Sequence, residues 1–160
     1  EMASTLTVDN IVGATAAGTI HIPSHVIQYQ HTKTTTATTI AATANTNLLT
    51  ITFTPKSSTS LIRIEYSFAN LRKTTGAGTN TWWNSRIHLA GVIQNNLTAQ
   101  IGYPETFADH RYSYSFGGTI SGWSGAKTVV LNGYVGSSGS TWVSSYQGNT
   151  TSLTVMEIAQ

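Results

Sequence analysis

Residues 48–71 read LLTITFTPKSSTSLIRIEYSFANL, and this stretch decides the fold class. Apolar residues occupy every second position in two runs, residues 49–53 and 62–68, with Thr, Arg, Glu and Ser between them. Side chains of a β-strand alternate between its two faces, so each run predicts a strand with one buried face. The polar segment between the runs has the composition of a loop, and we expect the two strands to pair or to be neighbours. The residues that we expect in the core are Ile51, Phe53, Ile64 and Tyr66.

The same alternation continues through the rest of the chain, and no window has a helical apolar stripe. Two of the predicted strands, residues 87–93 and 97–103, flank Asn95-Asn96, a pair that tolerates the positive φ of a hairpin turn. Further strands are expected at residues 112–116, 129–135, 142–146 and 153–158, and loops at residues 72–81, 117–126 and 136–140. The pattern predicts an all-β chain that folds as a β-sandwich or jelly roll.

The N-terminal residues differ from the rest of the chain. Residues 4–23 contain two short alternating pieces joined by small residues, which bury too little apolar surface to form a core. They need a partner, either the main domain or neighbouring copies of themselves. We therefore divide the chain into a junction, residues 1–24, and a β-sandwich domain, residues 25–160.

Composition restricts the partners and the chemistry. Charged residues make up 9% of the chain, the net charge is +2, and no basic run is present to follow a phosphate backbone, so nucleic acid is not an expected partner. No apolar run approaches the roughly 20 residues of a membrane-spanning helix, so membrane insertion is not expected. The absence of Cys excludes disulfides and thiol chemistry.

Catalytic and metal-binding residues are sparse, so we predict a non-enzymatic protein without a cofactor. The only carboxylates close together in one polar segment are Glu105 and Asp109, a weak basis for acid and base catalysis. The five histidines are dispersed and do not share a strand face or a helix face. One alternative remains for a metal: a three-fold axis could gather three copies of His21 or His25.

The aromatic residues are the informative class, because the tryptophans border the predicted loops. An exposed indole offers a flat apolar face and one hydrogen-bond donor at low entropic cost. Trp82 and Trp83 are adjacent on a strand, so one is expected in the core and the other in solvent. Trp123 lies between glycines and is expected to face solvent. The predicted ligand-binding residues are Arg72, Trp82, Trp83, Asn84, Trp123, Trp142 and Tyr146, and the alternative is that these rings cap the edges of the sandwich.

Three segments resemble the C-terminal domain of bacteriophage tail fibres, notably those of marine phages. They are residues 25–30, HVIQYQ; residues 48–66 of the opening stretch; and residues 151–158, TSLTVMEI. Residues 6–23 resemble the shaft-to-tip junction that precedes this domain. The resemblance covers about half the chain and consists of degenerate strand patterns; residues 72–126 match no pattern of the family.

The resemblance implies a homotrimeric knob at the tip of a fibre, whose loops touch the host envelope. Its partners would be itself, the upstream fibre and tail proteins, and a glycan or envelope protein on the bacterial surface. Its location would be the virion, outside the cell. The expected function is receptor binding; the alternatives are a purely structural fibre or decoration protein and, as a third reading, a glycan depolymerase.

Overall fold

A computed structural model describes residues 24–41, 45–75, 81–103, 109–136 and 141–160 of the chain. The predicted junction therefore lies outside the described residues, apart from Ser24. Within the described part there is no α-helix, and the one 3-10 turn spans Tyr146–Gly148. The strands are β1 (Val26–Thr34), β2 (Thr38–Ala41), β3 (Thr46–Phe53), β4 (Leu61–Thr75), β5 (Thr81–Leu89), β6 (Val92–Tyr103), β7 (Arg111–Ile120), β8 (Lys127–Val135), β9 (Thr141–Ser144) and β10 (Thr151–Ile158).

The strands form two antiparallel sheets, which confirms the predicted all-β sandwich. One sheet has four strands in the order β3-β8-β5-β6. The other has six strands organised around the long strand β4. On one edge of β4, its first part pairs with β10 and its last part with β9. β10 pairs in turn with β1, and β9 with β2. The other edge of β4 pairs with β7.

The core lies between the two sheets and is rich in aromatic rings. Phe68 of β4 meets Trp83 of β5 edge-on, with 5.7 Å between ring centroids, and stacks on Tyr114 of β7 at 5.1 Å. The Tyr66 hydroxyl is hydrogen-bonded to Ser85 Oγ across the core at 2.9 Å, and burial raises the pKa of Tyr66 to about 12. The four residues predicted in the core, Ile51, Phe53, Ile64 and Tyr66, are all buried.

The expectation that the two strands of residues 48–71 pair or are neighbours in a sheet is wrong. β3 belongs to the four-stranded sheet and β4 to the six-stranded sheet, so the segment between them crosses from one layer to the other. The carboxylate of Glu157 on β10 holds this crossing, because it accepts hydrogen bonds from the backbone N–H groups of Lys56 and Ser57, both at 2.9 Å. Alternation identifies the buried face of a strand but not its neighbour.

The predicted turn at Asn95-Asn96 is also wrong, because both residues lie inside β6. The hairpin turns at Ala90 and Gly91, whose φ values of 50° and 84° are the positive pair that a two-residue turn requires. Gln94 pairs with Ile87 and Thr98 with Arg86, so residues 95–97 bulge out of the ladder. The predicted loops were too long as well, since residues 72–75 belong to β4 and residues 117–120 to β7.

Candidate recognition surface

The structure separates the predicted site residues into three places. Trp83, Trp123 and Trp142 are in the core, at 0%, 1% and 0% exposure. Trp82 and Asn84 lie on the outer face of the four-stranded sheet. Arg72 and Tyr146 lie on the other side of the sandwich, on β4 and in the 3-10 turn. The seven residues therefore do not form one site.

Trp123 corrects the prediction of a solvent-facing loop ring. Gly122 and Gly125 both have a φ of 69°, a conformation that glycine adopts without strain, and the Trp123 indole between them is 1% exposed. The ring meets Phe53 edge-on at 5.8 Å, and its Nε1 donates a hydrogen bond to the carbonyl of Gly125 at 3.0 Å. Because the indole is part of the core, it is not available to a ligand.

Trp142 is also a correction, because it belongs to the packing. Its ring lies 5.8 Å from that of Trp83 and 5.4 Å from that of Tyr112. Trp83 donates a hydrogen bond from its Nε1 to the Tyr114 hydroxyl at 2.7 Å, so its polar atom is satisfied inside the protein. The prediction that one ring of the Trp82-Trp83 pair is buried and the other exposed is confirmed.

Trp82 is the tryptophan that faces solvent, with 42% of its surface exposed. Its indole lies over Gly102 of β6, the residue directly opposite in the ladder. A Cβ atom at position 102 would lie 2.7 Å from Cε3 of the indole, so only glycine leaves room for the ring there. Gly136 flanks Trp82 on the other side and donates its backbone N–H to the Trp82 carbonyl at 3.0 Å. Because Gly102 and Gly136 have no side chains, the indole packs directly against the sheet at this point, and we call the two glycines the seat of Trp82.

Polar and aromatic residues continue this surface in the next rows of the sheet. Asn84 pairs with Tyr134 on one side and Gln100 on the other; Asn84 is buried, Tyr134 half-buried and Gln100 exposed. Arg86, one row further, places its guanidinium 4.1 Å from the centroid of the Tyr134 ring. We call Trp82, Asn84, Arg86, Gln100 and Tyr134 the indole face.

Sequence reasoning found only part of this face. It missed Arg86, although Trp82, Asn84 and Arg86 stand at successive alternate positions of one strand and so share a side of the sheet. That alternation could have identified Arg86. Gln100 and Tyr134 come from β6 and β8, and only the register of the sheet brings them beside Asn84.

The outer face of the six-stranded sheet has a different chemistry. It contains a shallow depression of about 350 Å³ whose lining includes the hydroxyl groups of Ser67, Ser115 and Ser152. Glu65 is the one carboxylate among the described residues that line it, and it is paired with Arg63 at 2.6 Å. This arrangement offers hydrogen bonds, and none of the described residues that line it is a tryptophan. No helix of the described residues is long and apolar enough to cross a membrane.

Comparisons with known proteins give distant likenesses. No protein-family model matches the chain, and no curated protein matches it. The fold is similar to that of T=1 particles derived from infectious bursal virus, at 11% identity and a TM-score of 0.41, with 99% of this chain and 41% of that chain covered. The structure of the infectious bursal disease virus Gx strain gives 12% identity and a TM-score of 0.40, again with 99% of this chain and 41% of that chain covered. Dimeric latent PorU from Porphyromonas gingivalis gives 8% identity and a TM-score of 0.39, with 89% of this chain and 14% of that chain covered.

This chain spans less than half the length of those similar chains. Identities of 8–12% and TM-scores near 0.4 assign neither a family nor a function to it. The tail-fibre resemblance of the sequence stays a prediction.

Proposed function

We propose that this chain is a non-enzymatic receptor-binding module of a virion fibre, and that its indole face binds a sugar unit of a bacterial surface glycan. The observation that carries the proposal is the Trp82 ring, which packs over Gly102 and is 42% exposed. A flat and rigid apolar surface of this kind suits the apolar side of a pyranose ring. The tail-fibre resemblance of residues 48–66 and 151–158 supports placing such a module on a virion.

Hydrogen-bonding groups lie beside the indole on the same face of the sheet, where they could bind the hydroxyls of a sugar. The exposed Gln100 amide is two residues from Gly102 on β6, so it lies on the same side of the sheet as the indole. Tyr134 and Arg86 extend the polar surface away from Trp82 along the sheet. Aromatic stacking with a few placed polar groups is the common composition of ligand sites in proteins.

Trp82→Ala tests the proposal directly. We expect the variant to bind susceptible cells, or purified host glycan, at least about tenfold more weakly, since the central aromatic side chain of an interface is its usual hot spot. The measurement is adsorption together with titration calorimetry, accompanied by thermal unfolding to show that the fold is intact. The matched control is Tyr29→Ala, which removes another exposed ring, 68% exposed and located on β1 of the other sheet.

Gly102→Ala is a second variant that keeps the indole but removes its seat. The added Cβ must displace the ring, so binding should fall even though Trp82 is still present. Equal loss of binding in Trp82→Ala and Tyr29→Ala would refute the indole face as the binding surface. Failure of the wild-type protein to bind any susceptible cell would favour a purely structural fibre protein, and release of reducing ends from the glycan would favour a depolymerase.

We further propose that three copies assemble, so that weak contacts of single indole faces add up through avidity. The partners would be two further copies of this chain and the upstream fibre proteins. Light scattering on the full chain should give three times the mass of the 17.1 kDa chain. A mass of one chain would contradict the trimer.

A further inference from the structure

Two arginines lie opposite each other on neighbouring strands of the six-stranded sheet, away from the indole face. Arg72 of β4 and Arg111 of β7 are direct partners in the antiparallel ladder. Their side chains are 24% and 47% exposed, so both reach solvent. Like charges placed directly opposite each other on neighbouring strands destabilise a sheet, and such a pair needs compensation.

The compensation found within the described residues is incomplete. Asp109 Oδ1 accepts a hydrogen bond from Arg72 Nε at 2.6 Å, and the same oxygen lies 3.7 Å from Arg111 Nε. One carboxylate therefore serves two guanidinium groups. Both guanidinium groups pack against the Tyr146 ring, whose centroid is 4.3 Å from the Arg72 Cζ atom and 5.3 Å from that of Arg111. Gln147 adds one hydrogen bond from Arg111 Nη1 at 3.2 Å.

An unusual backbone holds these groups in place. Asp109, Ser145 and Gln147 have φ values of 74°, 53° and 56°, a region that residues other than glycine seldom adopt. The Asp109 segment is fixed to β4, because the Asp109 N–H donates to the carbonyl of Lys73 at 2.9 Å. Strain of this kind persists only where the surrounding structure maintains it, and it clusters at ligand sites.

We propose that Arg72 and Arg111 form a binding site for an oxyanion, supplied by an acidic substituent of an extracellular polysaccharide. A guanidinium presents a planar set of donors that matches carboxylate, sulfate and phosphate groups, and two of them side by side match one such group more closely than one does. The Tyr146 ring contacts both guanidinium groups and so keeps the two side chains together. This site does not depend on the indole face, because it lies on the other sheet.

Arg63 provides an internal comparison. It lies on the same strand as Arg72, and its Nε and Nη2 atoms both contact Glu65 Oε1, at 2.7 Å and 2.6 Å. This arginine has a carboxylate of its own, so its charge is balanced within the protein. It should therefore not attract an oxyanion as Arg72 and Arg111 do.

The experiment is a titration of the isotope-labelled full chain with sodium sulfate and, separately, with sodium glucuronate at constant ionic strength. The arginine Nε–H resonances of Arg72 and Arg111 should shift and saturate, and that of Arg63 should not. Arg111→Gln should weaken the binding about tenfold, since hydrogen bonds to charged groups contribute strongly, while Arg63→Gln leaves it unchanged. Saturation by sulfate identifies a tetrahedral substituent and saturation by glucuronate an acidic sugar.

Asp109→Asn separates a binding role from a structural one. Asparagine tolerates positive φ, so the backbone is retained, and removal of the internal carboxylate should tighten oxyanion binding several-fold. A purely structural cluster would instead become looser without gaining affinity. Small, unsaturable shifts shared by all arginines, or an Asp109→Asn variant with no gain, would overturn the proposal. Loss of glycan binding in Trp82→Ala with retained sulfate binding would show that the two sites are separate.

Discussion

Trp123→Ala is expected to lower the free energy of unfolding by about 3–5 kcal/mol, the cost of truncating a buried aromatic side chain. The ring is 1% exposed, packs against Phe53 and has its Nε1 satisfied by the Gly125 carbonyl. Its removal leaves a cavity at the end of the sandwich and a turn without its anchor. Denaturant unfolding of both proteins measures the difference.

The control for Trp123→Ala is Trp82→Ala, which removes the same side chain from an exposed position. Surface substitutions usually change stability by less than about 0.5 kcal/mol, so the two variants should differ widely. If Trp123→Ala unfolded at the wild-type midpoint, the indole would not pack against Phe53 in solution, and the original expectation of a solvent-facing ring would be restored.

Glu157→Ala should destabilise the fold by about 3 kcal/mol or more, because each hydrogen bond to a charged group is worth about 1.5–3 kcal/mol. The carboxylate is fully buried and accepts from the Lys56 and Ser57 backbone N–H groups and from Gln28 Nε2, the last at 2.7 Å. Truncation leaves these donors unpaired and frees the crossing between β3 and β4. Glu65→Ala, on the exposed face of the same sheet, is the matched control.

The same carboxylate should make stability depend on pH. Burial alone would raise the pKa of Glu157, but hydrogen bonds from Lys56, Ser57, Ser60 and Gln28 outweigh it and hold the pKa below its ordinary value of 4.5. Because the unfolded chain takes up the proton more readily, this stabilisation is complete above the ordinary pKa and is lost as the pH falls through the lower folded value. The free energies of unfolding of wild type and Glu157→Gln should therefore converge as the pH falls below 4.5. A constant difference across that range would contradict the lowered pKa.

The faces of the strands were determined by the sequence itself. Period-two alternation placed Ile51, Phe53, Ile64 and Tyr66 in the core, and it required Trp82 and Trp83 to point in opposite directions. This information is local, since a side chain's direction follows from the pleat of its own strand. The all-β class and the three residues of the indole face that lie on β5 could be predicted in the same way.

Only the tertiary structure decided which strands are neighbours. Pairing and register depend on hydrogen bonds between distant segments, so the separation of β3 from β4 and the meeting of Arg72 with Arg111 have no local signal. The burial of Trp123 depends on two positive φ angles, at Gly122 and Gly125, that turn the ring inward. The ring is held there by its contact with Phe53, which the local composition does not indicate. Sequence alternation thus determined the side of each strand that is buried, and long-range pairing determined which exposed groups meet to form a site.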